Sequence, residues 1–132
     1  MTSADHPNAR RFHEAYTLWF SGTPAPLLQM MADDVVYHLP GKHLGGGDLH
    51  GRDAIIARAR SQASSFDEPA RTEILDVIAN DEFVVSFERF RAVRHGNALD
   101  QVICGVWRLQ DGRVAELWTH FEDQATCDAF WE

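Results

Sequence analysis

The sequence predicts an α+β domain in which helices pack against the concave face of a curved antiparallel sheet. Two observations carry this. Apolar residues recur at helical spacing near the N-terminus and again over residues 52 to 64. Beyond them lie four apolar runs, residues 72 to 79, 83 to 93, 99 to 109 and 114 to 121, separated by Asn80-Asp81, His95-Gly96-Asn97 and Asp111-Gly112. Such separators are hairpin signals because Asn, Asp and Gly accept the positive φ that tight turns require, so the four runs form a sequential antiparallel sheet.

Each element follows from local pattern. Over residues 7 to 21, Phe12, Ala15, Tyr16, Trp19 and Phe20 share one helical face, Pro7 sits in the first turn and Gly22 stops the helix. Thr23 is expected to cap a second helix that has Pro24 at its first position and runs through Leu27, Leu28 and Met31, with Asp33 and Asp34 separating it from the first strand. That strand, Val35, Val36 and Tyr37, ends in His38, and Pro40-Gly41 halts the ladder. A glycine loop carrying Gly41, Gly45, Gly46, Gly47, His43 and His50 closes at Gly51. Loops of this kind on a rigid scaffold commonly rim a site. A third helix follows, with Asp53 near its positive end and Ile55, Ile56, Ala59 and Ala63 on the buried side. Residues 64 to 69 break it, and residues 124 to 131 form a short closing helix. In the run from 83 to 93, Phe83, Val85 and Phe87 share one face while Phe90 and Ala92 lie on the other, which predicts a bulge near residues 88 to 90 and a bent sheet.

At 132 residues the chain suits one domain over its whole length, and 45% hydrophobic with 24% charged residues is a globular composition. Twelve Lys and Arg against twenty Asp and Glu give a net charge of −8. That charge repels polyphosphates and anionic lipid, so neither nucleic acid nor a membrane surface is an expected partner. No apolar run reaches the roughly 18 residues of a membrane span and no leader-type segment opens the chain, so the expected location is the cytoplasm. Cys104 lies inside an apolar run and Cys127 has no close cysteine neighbour, which favours thiols over a disulfide or a structural zinc site.

Histidine is the side chain best suited to moving protons near neutral pH, so His38 and His120 are candidate bases if both point inward. The alternative is that they are surface or interface histidines. Parity leaves the choice open, because Trp118 and His120 share one face while Leu117, Thr119 and Phe121 share the other. Glu88 stands among apolar residues: either it is buried with a raised pKa and faces substrate, or it pairs with an arginine at the sheet surface. Asp100, near a hairpin, is expected to be solvated. Trp19, Trp107 and Trp118, with Tyr16, Tyr37, Phe87 and Phe90, can wall a pocket for a flat apolar ligand or fill an ordinary core. His38, His43, His50 and His120 lack a fixed ligand geometry, and no Lys-Ser or Lys-Thr pair follows the glycines, so neither a metal nor a phosphate loop is expected.

Taken together, the helix bearing Tyr16, the string ADDVVYHLPG, the loop closing in HGRDAI and the ending DGRVAELWTHFEDQATCDAFW resemble the SnoaL-like branch of the nuclear transport factor 2-like superfamily. The resemblance implies a cone-shaped sheet around a small-molecule pocket and covers nearly the whole chain. It implies Tyr16 as a hydrogen-bond donor to a developing oxyanion. The ketosteroid isomerase base falls at or beside His38, where this chain has Leu39 before Pro40, and the second isomerase aspartate falls near Gly105. The last aspartate of the epoxide hydrolases and the cyclase base both fall near His120. With those carboxylates absent, steroid isomerisation is not implied. The expectation is a cofactor-independent isomerase, cyclase or lyase acting by acid-base catalysis on a small apolar carbonyl or aromatic compound, with His38 or His120 as base and Trp107 and Trp118 as walls. The alternative is a non-catalytic ligand-binding or scaffold protein. A homodimer paired through the convex face of the sheet is expected in either case.

Overall fold

The computed structural model describes residues 3–41 and 46–132. After a single 3-10 turn (Ser3–Asp5), helix α1 spans Pro7–Phe20. His6 caps it, its Nδ1 accepting the Asn8 backbone N–H at 3.1 Å, and Ala9, Phe12, Ala15 and Tyr16 form its buried face. Helix α2 is Ala25–Met30, and its cap position is Pro24 without a side-chain hydrogen bond, not Thr23. Strand β1, Met31–Leu39, begins directly after it, so Asp33 and Asp34 lie within the strand as exposed residues rather than before it. Strand β2, Gly47–His50, pairs antiparallel with β1 at Tyr37 with Leu49 and His38 with Asp48. Four residues are too few to declare an alternation in sequence. Helix α3 (Arg52–Ser65), strands β3 (Arg71–Ala79), β4 (Phe83–Arg94), β5 (Asn97–Gln110) and β6 (Arg113–Phe121), and helix α4 (Gln124–Trp131) complete the chain.

The six strands form one curved, open sheet in the order β2-β1-β6-β5-β4-β3. Hairpins join β3 through β6 as predicted, and every pairing is antiparallel except that of β1 with β6. That one parallel pair brings the first long strand beside the last, which requires the intervening chain to cross over.

Neighbours in register share a face of the sheet. Tyr37, Leu117, Trp107 and Val84 make one inner row, Thr119, Gly105 and Ser86 the next, and Phe121, Ile103 and Glu88 a third. The opposite parity makes the outer rows: His38, Trp118, Val106 and Val85, then His120, Cys104 and Phe87. The bulge predicted for residues 88 to 90 lies instead on the neighbouring strand. Ile74 pairs with Glu88 and Asp76 with Phe87, leaving Leu75 over, and β4 keeps strict alternation. The apparent phase change in β4 reflects apolar residues on both faces, Val84, Phe90 and Ala92 on the inner one and Phe83, Val85 and Phe87 on the outer.

Two apolar cores result. The main one, with Phe12, Val35, Val84 and Val114 all fully buried, lies between α1, α2, α3 and the inner face. The second gathers Ala92, Leu99, Cys127, Phe130 and Trp131 beneath α4, whose start is capped by Asp123. Both cysteines are free thiols. Among the described residues no helix is long and apolar enough to cross a membrane.

Candidate active site

Between the helices and the inner rows lies a cavity of about 190 Å³. Its walls are mostly apolar: Trp19, Phe20, Leu27 and Met31 from the N-terminal helical segment and the start of β1, Leu49 and Ile55 on one side, Phe90, Ile103, Leu117 and Phe121 on the sheet. Into this surface project a few polar groups.

Glu88 is the buried carboxyl group. The β4 alternation that buries Val84 and Ser86 also turns Glu88 inward, where it is 6% exposed. Tyr16 on α1 donates its hydroxyl hydrogen to Glu88 Oε1 at 2.5 Å, while Glu88 Oε2 is buried and has no partner among the described residues. Burial pushes the carboxyl up to about 7, the hydrogen bond from Tyr16 and the nearby Ser86 hydroxyl pulling less strongly the other way. Tyr16 is held well above its ordinary range by burial and then by the charge of Glu88. Glu88 therefore neither pairs with an arginine nor sits at the surface. Asp100 is the outward carboxylate that does so: Arg89 Nε and Nη2 donate to it at 2.8 and 3.0 Å.

Tyr37 and Thr119 form a second polar station, their hydroxyl oxygens 2.6 Å apart. Burial pushes Tyr37 up to about 12. A third pair, Trp107 Nε1 donating to Ser86 Oγ at 3.0 Å, is packed over Gly105. A Cβ on Gly105 would lie 2.7 Å from both of those atoms, so the indole and the hydroxyl occupy the room a side chain would need. Arg58 and Gln62 of α3 also line the cavity, with Arg58 Nη1 donating to the Gly46 carbonyl at 2.6 Å.

The predicted residues thus divide. Tyr16, Trp19, Tyr37, Glu88, Phe90 and Trp107 are brought together around the cavity. His38, Trp118 and His120 are not: strand parity turns all three to the outer face. There each ring nitrogen of His38 faces a carboxylate, Nε2 at 2.6 Å from Glu116 Oε2 and Nδ1 at 3.1 Å from Asp48 Oδ1, and the ring stacks on Trp118 at 5.4 Å. The bond to Glu116 raises the imidazole above its ordinary value, outweighing the opposing effect of burial, and Asp48 adds to the rise. His120 is exposed. Among the described residues no group of three or more His, Cys, Asp or Glu is placed to hold a metal, and His43 lies outside the described residues. Sequence reasoning missed Ser86, Thr119, Arg58, Gln62 and Trp131. The first two carried a usable signal, as polar residues in phase with apolar ones on strands.

A curved six-stranded sheet with helices over its inner face and a cavity between them defines a nuclear transport factor 2-like fold. The sequence profile of the SnoaL-like domain matches residues 9–117, and the chain belongs to that family. The structure is similar to that of Bal32a from a soil-derived mobile gene cassette, with a TM-score of 0.86 and 29% identity over 95% of this chain and 96% of that one. It is also similar to a nuclear transport factor 2-like protein of unknown function from Burkholderia pseudomallei, with a TM-score of 0.80 and 25% identity over 94% and 96% of the two chains. IdmH from Streptomyces antibioticus, for which a polyketide cyclase role has been suggested, shares the fold with a TM-score of 0.70 and 18% identity over 92% and 96%. No curated protein matches the sequence.

Proposed function

We propose that the chain is a cofactor-independent enzyme of the isomerase, cyclase or lyase type that moves a proton on a small carbonyl compound, with Glu88 in the part expected of His38 or His120. The observation that carries this reading is a buried carboxyl group, the one among the described residues that lines the apolar cavity, with Oε1 bonded to Tyr16 and Oε2 buried without a hydrogen-bond partner. A carboxyl held at about 7 is half ionised at neutral pH, where a general base is most effective. Glu88 Oε2 takes a proton from the carbon next to a carbonyl, the C–H electron pair moves toward the carbonyl oxygen, and the proton returns to a different atom. Tyr16 holds the carboxylate in place.

The developing oxyanion meets the Tyr37–Thr119 pair. Two hydroxyls that share one hydrogen bond keep one O–H to donate, and at this position it points stabilisation where charge forms. The size of the ligand is bounded by volume. An apolar cavity of about 150 Å³ holds benzene, so about 190 Å³ suits one ring with a short substituent.

Solvent-deuterium incorporation next to the carbonyl of small cyclic ketones, followed by NMR, tests the reaction. The wild-type rate is expected to rise with pH to a plateau above about 7, and Glu88→Gln to lose at least about 10²-fold. Ligand binding with no exchange above the buffer rate favours the non-catalytic reading, in which protonated Glu88 serves only as a hydrogen-bond donor. Pairing of two copies through the outer rows around Trp118 and Val106 belongs to the same proposal.

A further inference from the structure

The inner face of the sheet continues past Glu88. Phe90 stands opposite Gln101 and Ala92 opposite Leu99, and Ala92 and Leu99 belong to the apolar core beneath α4. Phe90, Phe121 and Trp131 line the cavity and also pack in or against that second core, so these three rings partition the two spaces. Phe90 and Phe121 are fixed by the strands that carry them. Trp131 comes from α4, an eight-residue helix too short to be stable by itself. Side chains of the inner face hold that helix at both ends. At its start Gln101 Nε2 donates to the Asp123 carbonyl at 2.9 Å, and the Asp123 N–H donates to Gln101 Oε1 at 3.3 Å. At its end, where helix carbonyls lack partners within the helix, Arg94 Nη1 donates to the carbonyls of Phe130 and Glu132 at 3.3 and 3.1 Å. The same guanidinium lies 5.7 Å from the centre of the Trp131 ring. Arg94 Nε is buried without a partner among the described residues, a cost that an apolar side chain filling the second core would not carry.

Resting on the proposed function, we infer that Trp131 is the specificity-determining residue of the site, an end wall fastened by Arg94 and Gln101 that limits the substrate to a single ring. A ring set against Glu88 has its far edge toward Phe90 and Trp131, the next groups along the inner face. In the other direction the main core is filled: Phe12 is fully buried and packs edge-on against Trp107 at 4.6 Å. A further ring therefore has to displace the indole. Trp131 is 6% exposed and packs against Phe66 and Phe130 at 5.6 and 5.1 Å, so it cannot turn aside without unpacking the second core. Close-packed interiors resist such displacement, and a wall of this kind rejects larger ligands by overpacking.

The test is calorimetric titration of the full-length protein with acetophenone and 2-acetylnaphthalene, which differ by one fused ring. Apolar area alone favours the larger ketone. The wild-type protein is expected to bind acetophenone at least about tenfold more tightly, the reverse order. Trp131→Ala should improve binding of 2-acetylnaphthalene relative to acetophenone by at least about tenfold, with Trp131→Phe in between. Arg94→Met, which keeps the ring and removes its fastening, should relax the ratio in the same direction. The wild-type ratio stands even where a variant does not fold. A wild-type protein that takes the larger ketone as tightly as the smaller, or a ratio unchanged in Trp131→Ala, overturns the inference; a ratio unchanged in Arg94→Met overturns the fastening. Absence of proton exchange with the size order intact sinks the proposed reaction alone, and failure of both ketones to bind overturns the two together.

Discussion

Replacing Glu88 by Gln isolates the energetic consequence of burying a carboxyl group in the cavity. Its folded value of about 7 stands above the ordinary 4.5, so the folded state holds the proton more tightly than the unfolded chain does. Stability from this group is therefore complete below pH 4.5 and lost as pH rises through about 7. The difference is worth about 3 kcal/mol, from roughly 1.4 kcal/mol per pH unit across that interval. Gln cannot titrate. It keeps an acceptor for Tyr16 but places an amide N–H₂ where Oε2 has no partner, an offset of roughly 1–3 kcal/mol that does not vary with pH. The slope, not the absolute stability, is thus diagnostic. Urea denaturation of both proteins between pH 5 and pH 8 should give curves that converge or cross. The wild-type protein loses up to about 3 kcal/mol relative to Glu88→Gln over the range, a relative midpoint shift of roughly 1–3 M. Two curves that stay parallel within about 0.5 kcal/mol would show that Glu88 is not desolvated and would refute the reasoning for the site as well.

Other outcomes follow from the same geometry. Gly105→Ala sets a Cβ 2.7 Å from Ser86 Oγ and Trp107 Nε1, so it should cost about 1–3 kcal/mol and shift the Trp107 emission; unchanged melting and fluorescence would mean that the indole is not packed there. His38→Ala should leave ligand affinity unchanged, since His38 lies on the outer face. It should also remove a contribution that is present below the ordinary histidine value of 6.5 and fades as pH rises through the raised folded one, as paired melts of the two proteins at pH 5 and pH 8 would show. Sedimentation at micromolar concentration should detect a species of twice 14.9 kDa, and Trp118→Asp should dissociate it; a wild-type protein that sediments only as a monomer ends the pairing proposal.

Much of the site was legible because strand and helix periods are local properties. Tyr16 falls on the same helical face as Phe12 and Ala15, and any packing of that face buries its ring. Glu88 stood out as a charge among apolar residues. What misled was His38, whose position at a strand end beside a glycine loop is where a catalytic group often lies. Its neighbours Tyr37 and Leu39 were the inward residues, and the histidine went with the opposite parity to Glu116 and Asp48. The bulge was displaced for a related reason: β4 carries apolar residues on both faces, so its pattern could not report where the ladder slips, whereas the slip at Leu75 appears only once β3 is paired.

The amino-acid order alone determined the number and kind of most elements, the hairpin connections and the family, since each depends on residues near one another in the chain. Only the assembled structure decided which parity of every strand faces the helices, because a period of two marks two faces without saying which is inside. It also decided that α3 aims Arg58 and Gln62 inward, and that a tyrosine and a glutamate 72 positions apart share one proton-bearing contact. Those choices belong to the closing of the sheet around its helices, where burial of Phe12, Val35 and Val84 outweighs the cost of desolvating one carboxyl group.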